Sequence, residues 1–151
     1  DFSGRWLLLD RVQDPGNVGT MVRTADAAGF AGVALGTGCA DPYSTKVLRS
    51  MQGSNFHLPL VNVQLEQLIP QLQQLSIPVY GTELNVDAKP FQEVEVTADV
   101  ALLMGNEGQG LAKDLLNITD FNLYIPIYGK AESLNVGVAA GILMYHFAGS
   151  L

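Results

Sequence analysis

Apolar residues recur along this chain in two rhythms. Short apolar runs at residues 6–9, 32–35 and 100–104 are bounded by polar or turn-forming residues, the pattern of strands buried on both faces. Residues 59–63, 79–82 and 122–126 read as further extended pieces. Between these runs the spacing becomes helical. Val18, Met21, Val22 and Ala25 to Ala28 follow Asp14-Pro15-Gly16, and Gly29 ends that helix; leucines recur at helical intervals over 65–75. Segments 44–50, 111–116 and 134–147 supply the remaining helices. Strands alternating with helices predict an α/β domain, a Rossmann-like parallel sheet with helices on both faces. Connection rules alone predict an unknotted, doubly wound sheet.

A chain of 151 residues with 48% hydrophobic content fits one domain over 1–151 with one substantial core. A single cysteine, Cys39, excludes an internal disulfide, and His57 and His146 offer no metal-ligand spacing, so no metal is expected. A reducing cytoplasm fits this usage. The longest apolar run, 136–147, is too short to span a bilayer, and no membrane association is expected. The chain opens at Asp1 without an initiator Met, so an N-terminal RNA-binding domain is expected outside it.

The net charge of −7 argues at face value against nucleic acid, because Lys and Arg contacts to phosphate supply most of the affinity there. Its distribution softens that objection. Arg5, Arg11, Arg23, Lys46 and Arg49 place five of the eight basic residues in the first fifty positions.

Three segments carry candidate chemistry. In the first, VQDPGNVGTMVRTADAAGFAGVAL over 12–35, Pro15-Gly16-Asn17-x-Gly19 predicts a turn before a helix. Arg23 can then reach back toward the helix mouth, with Asp26 one turn on to hold the guanidinium. In the second, ALLMGNEGQGL over 101–111, three glycines follow a strand and lead into a helix; the spacing fits neither G-x-G-x-x-G nor a P-loop. In the third, IPIYGKAESLNVGVAAGILMYHF over 125–147, a polar Glu132-Ser133-x-Asn135 cluster precedes a small-residue apolar helix. Ser133 is there a natural cap, and free N–H groups suit a polar or anionic ligand group. Ser44-Thr45-Lys46-x-x-Arg49-Ser50 adds a basic helix face.

In order and spacing the three segments resemble the motifs of the SpoU/TrmH family of RNA ribose 2′-O-methyltransferases, a branch of the SPOUT superfamily. The resemblance runs over nearly the whole chain. It implies a C-terminal trefoil knot, with residues 105–110 and 125–135 as the knot loops around S-adenosylmethionine. It further implies catalytic roles for Asn17, Arg23, Glu107, Ser133 and Asn135. Gly105, Ile125, Leu134 and Asn135 would hold the donor, Ile125 and Leu134 through backbone groups. Arg23, Lys46 and Arg49 would contact RNA. Gly137 stands where the family often has Ser after Asn-Val. A homodimer through the last helix is implied as well.

A guanidinium essentially never deprotonates, so Arg23 is read as a clamp on the adjacent phosphate that stabilises the developing alkoxide. The expected activity is methyl transfer to a ribose 2′-hydroxyl, with ribosomal RNA favoured and transfer RNA the alternative. A non-catalytic RNA-binding protein on the same fold, and a nicotinamide oxidoreductase, are the competing classes.

Overall fold

The computed structural model describes residues 1–84 and 87–148. Its seven strands are β1 (Arg5–Leu9), β2 (Gly32–Leu35), β3 (Leu60–Asn62), β4 (Val79–Gly81), β5 (Lys89–Pro90), β6 (Val100–Met104) and β7 (Phe121–Tyr124). All pair in parallel, in the order β3-β2-β1-β6-β4-β7-β5. β1 and β6 form the centre, with Leu7 opposite Leu102 and Leu9 opposite Met104, and every residue of both strands is buried.

Five α-helices cover the sheet: α1 (Pro15–Ala27), α2 (Thr45–Met51), α3 (Leu65–Gln74), α4 (Lys113–Leu116) and α5 (Val136–Phe147). Alternating strand residues point to opposite faces, and the core divides accordingly. Leu7, Leu9, Leu35 and Leu102 pack with Val18, Met21 and Val22 of α1 and with Leu143 and Phe147 of α5. Trp6, Leu8, Ala34 and Leu103 pack with Leu68, Ile69 and Leu72 of α3 and with Leu115 of α4. Each Val, Leu, Ile, Met or Phe side chain removed from water contributes about 1.5–3 kcal/mol.

The predicted parallel sheet with helices on both faces is therefore present, with element ends shifted by a few residues. Two details differ from expectation. Residues 111–116 contain only a four-residue helix, and α5 begins at Val136 rather than 134. Two 3-10 turns, Ser54–Phe56 and Phe91–Glu93, and the two-residue strand β5 carry too few residues to leave a periodic signal.

Candidate active site

The loops that follow β1, β4, β6 and β7 gather at the carboxyl edge of the sheet, where open parallel sheets place their ligands. The first leads into α1. Asp14 has extended backbone and accepts hydrogen bonds from the N–H groups of Gly16 (2.8 Å) and Asn17 (3.1 Å), while Pro15 takes the first helical position, where no donor is needed. Pro15-Gly16-Asn17-x-Gly19 is thus the first turn of the helix and not a turn before it. Gly19 has a packing reason: a Cβ there would lie 2.0 Å from the Cβ of Ser50 on α2.

The loop after β6 is laced to this segment. Asn106 and Gly110 exchange backbone hydrogen bonds at 2.9 and 3.0 Å, and the Asn106 side chain accepts from Gly108 and Gln109. The Asn106 amide also donates to the carbonyl of Arg11 at 2.7 Å. In return the Arg11 guanidinium donates to Gln109 Oε1 and to the Gly110 carbonyl, both at 3.0 Å, and pairs with buried Asp10 at 3.3 Å. Arg11 sits at φ +54°, a conformation unusual for a side chain of that size. Gly105 is fixed by the same closure. Its Cβ would lie 2.4 Å from the carbonyl carbon of Gly110, so here glycine serves the loop's own backbone.

Glu107 crosses the gap to α1. Its carboxylate accepts from the N–H groups of Gln13 (3.2 Å) and Asp14 (2.8 Å) and from the Asn17 amide (3.4 Å). Desolvation pushes its pKa up, but the backbone donors, with the Asn17 amide, outweigh it and hold the carboxyl below its ordinary value. A carboxylate engaged this way is a brace and a poor base.

The third loop has the opposite character. Ile125, Pro126, Ile127, Ser133 and Leu134, with Thr82, Met104, Leu123 and Leu143, line a cleft of about 450 Å³. From 126 to 133 the backbone makes no hydrogen bond among the described residues. An apolar cleft walled by unpaired backbone N–H and C=O groups fits a nucleoside, whose faces are apolar and whose edges carry donors and acceptors. The loop ends at Asn135, which caps α5 by accepting from Gly137 (2.8 Å) and Val138 (3.2 Å). The cap is therefore Asn135 and not Ser133, which faces the cleft instead. Asn135 also donates to Asn17 Oδ1 at 3.3 Å, so Glu107, Asn17 and Asn135 form one chain of contacts across the three loops.

Of the residues singled out in the sequence, Ile125, Ser133 and Leu134 line the cleft, whereas Gly105 and Asn135 border it through their neighbours. Arg23 lies apart. It is exposed on α1, makes no hydrogen bond or ion pair with any described residue, and shares a hollow of about 290 Å³ with Thr20, Thr24, Ala27, Ser50 and Tyr145. It does not reach back to the helix mouth. Asp26 does not hold it either, being engaged by His57 Nδ1 at 3.2 Å. Lys46 and Arg49 stand exposed on α2, beside the same hollow through Ser50.

Sequence reasoning missed Asp10, Arg11 and Thr82. Asp14, read only as part of a turn, could have been read as a cap from the Asp-Pro pair; Arg11 carries no sequence signal. Among the described residues no group of three or more His, Cys, Asp or Glu is arranged to hold a metal, and no helix is long and apolar enough to cross a membrane.

The fold and the three linked loops define an α/β domain with a nucleoside-sized cleft at the carboxyl ends of its strands. The SpoU rRNA Methylase family profile matches residues 4–145, and the chain belongs to that family. It is 54% identical over 143 residues to the 23S rRNA (guanosine(2553)-2'-O)-methyltransferase RlmP of Bacillus subtilis (strain 168), covering 95% of this chain and 57% of that protein. Two solved structures are similar. An AdoMet-bound rRNA methyltransferase from Sinorhizobium meliloti superposes with a TM-score of 0.88 at 36% identity over 97% of this chain and 56% of its own. The SpoU methyltransferase AviRb from Streptomyces viridochromogenes, in complex with AdoMet, gives 0.88 at 32% identity over 97% and 60%. The chain thus spans little more than half the length of these proteins. Membership of this family sets aside the nicotinamide oxidoreductase.

Proposed function

We propose that this chain is the catalytic domain of an S-adenosylmethionine-dependent RNA methyltransferase acting on a ribose 2′-hydroxyl, with ribosomal RNA as substrate. The observation that carries the reading is the chain Glu107, Asn17, Asn135, which joins all three motifs beside an apolar cleft with unpaired backbone. Family membership and the 54% identity to a 23S rRNA methyltransferase support the substrate class. Transfer RNA is the alternative.

When bound, the donor supplies an electrophilic methyl group. Ile125, Leu134 and the backbone between them hold its nucleoside part. Asn135 orients the loop end and Ser133 offers a hydroxyl inside the cleft. Arg23, permanently charged, stands in a hollow apart from this cleft, so the substrate runs from that hollow to the cleft for Arg23 to grip the phosphate next to the target ribose and stabilise the oxygen as its proton leaves to phosphate or water. Glu107 keeps α1 in register with the loop after β6.

We further read the protein as a cytoplasmic homodimer with a knotted C-terminal segment. Val138, Ile142 and Tyr145 form an exposed apolar stripe on α5 beside α1, and Gly137 and Gly141 allow close approach there. Residues 125–135 would form one knot loop and 105–110 the other. An RNA-binding domain outside 1–151 would complete the contact with substrate.

Calorimetry with S-adenosylmethionine and its demethylated product, paired with mapping of 2′-O-methyl sites in ribosomal and transfer RNA from cells with and without the gene, tests the proposal. Binding of either compound and loss of one ribosomal site are expected. Loss confined to transfer RNA would overturn the substrate, and no binding of either compound would overturn the activity.

A further inference from the structure

Phe56 is 85% exposed, far more than an aromatic side chain needs to be in a chain with this much core. It sits in the 3-10 turn Ser54–Phe56, which α2 enters through two successive left-handed residues, Gln52 (φ +50°) and Gly53 (φ +85°). The turn is anchored at Ser54, at the Phe56 backbone and at His57, and the ring is left out. Ser54 is buried, the Phe56 N–H donates to the Gly53 carbonyl at 3.0 Å, and His57 is tied to Asp26 of α1 at 3.2 Å. A held ring facing water is a surface prepared for contact.

The two helices that hold this turn carry exposed basic residues. Lys46 and Arg49 stand exposed on α2, the helix that feeds the turn, and Arg23 lies one turn before Asp26 on the helix that anchors it. In a chain of net charge −7 these two helices hold three of the eight basic residues. Basic groups that track a phosphate backbone, beside an aromatic face for a base, are the physical signature of single-stranded nucleic acid recognition. Resting on the RNA-methyltransferase reading above, we infer that Phe56 stacks an unpaired nucleobase of the substrate RNA, close to the nucleotide whose phosphate Arg23 grips. Stacking is insensitive to salt, so it supplies affinity that an acidic domain cannot obtain from charge alone.

The test uses the full-length protein with oligo(A) and with a fully paired RNA duplex as probes, binding being measured across a salt series. Phe56→Ala should weaken oligo(A) binding about tenfold, the range of one base–aromatic stack, and leave the salt dependence and duplex binding unchanged. Phe56→Trp should restore affinity. Lys46→Ala with Arg49→Ala should instead flatten the dependence of log K on log salt, by about 0.7 for each phosphate no longer neutralised. Wild-type binding to oligo(A) with no loss in Phe56→Ala overturns the stack alone. A wild-type protein that binds neither probe overturns the RNA reading beneath it. A fall in sedimentation mass on Phe56→Ala would assign the ring to contact between copies and overturn the proposal.

Discussion

The loop at 105–110 and the loop at 126–133 lie at the same edge of the sheet and are built on opposite principles. The first is closed by its own Asn106–Gly110 bonds and tied to the β1–α1 segment by Asn106, Arg11 and Glu107. The second makes no backbone hydrogen bond among the described residues and opens onto the cleft. A loop that satisfies its polar groups internally arrives prepared, whereas one that leaves them free takes its order from a ligand. The rigid loop would then hold the RNA-side geometry, and the open loop would hold the donor.

The largest expected effect separates those two sides. Arg23→Ala should abolish methyl transfer while leaving donor affinity and folding nearly unchanged, and Arg23→Lys should also fail, because Lys cannot fork between a phosphate oxygen and the 2′-oxygen. Donor calorimetry and single-turnover transfer on both variants decide it; a fully active Arg23→Lys enzyme would show that charge alone suffices.

Glycine substitutions compare the loops directly. Gly105→Ala drives a Cβ into the Gly110 backbone and should destabilise the fold by about 3 kcal/mol, whereas Gly129→Ala meets nothing within 4 Å and should change stability by less than about 0.5 kcal/mol. Equal denaturation midpoints for the two variants would remove the distinction between prepared and open loops.

Asn135 stands at the seam. Asn135→Ala removes the α5 cap, at about 1 kcal/mol, and the link to Asn17, so donor affinity and rate should fall together. Donor binding should also slow amide exchange over 126–133 and leave 105–110 as it was; equal protection of both would contradict the division of roles.

The smallest effect concerns pH. The Glu107 carboxyl is lowered on folding, so its stabilising contribution is present above the ordinary glutamate value and is lost as pH falls through the lowered one. Below about pH 4.5, Glu107→Gln should therefore lose less stability than wild type on acidification, as read from denaturation midpoints at successive pH values.

The prepared loop and the open loop were unequally legible. Strands such as 6–9 and 100–104 are visible because both faces are buried and the apolar run is unbroken. Glu107 was reached through the family resemblance, whereas Asn106 and the partners Arg11 and Gln13 were not, since a hydrogen bond between loops 90 or more residues apart leaves no local pattern. Ile125 and Leu134 were accessible only through family resemblance, because a residue that offers its backbone has no side-chain signature. Ser133 looked like the cap because Ser, Asn and Asp share that preference, and only geometry distinguishes two candidates two residues apart. His57 took Asp26 from Arg23 through a turn too short to be seen in the periodicity.

The order of the strands has a consequence for how the protein is made. β1 leaves the ribosome well before its partner on one side, β6, with Arg5 aligned to Val100. Until residue 104 has been synthesised, the nascent chain can assemble β1, β2 and β3 but must leave the edge of β1, apolar from Trp6 to Leu9, open to water and to neighbouring chains. Closure of this sheet thus waits for β6 and is slow for the domain's size because its central pairing is so distant in sequence, and a ribosome stalled before β6 would release a fragment prone to aggregate.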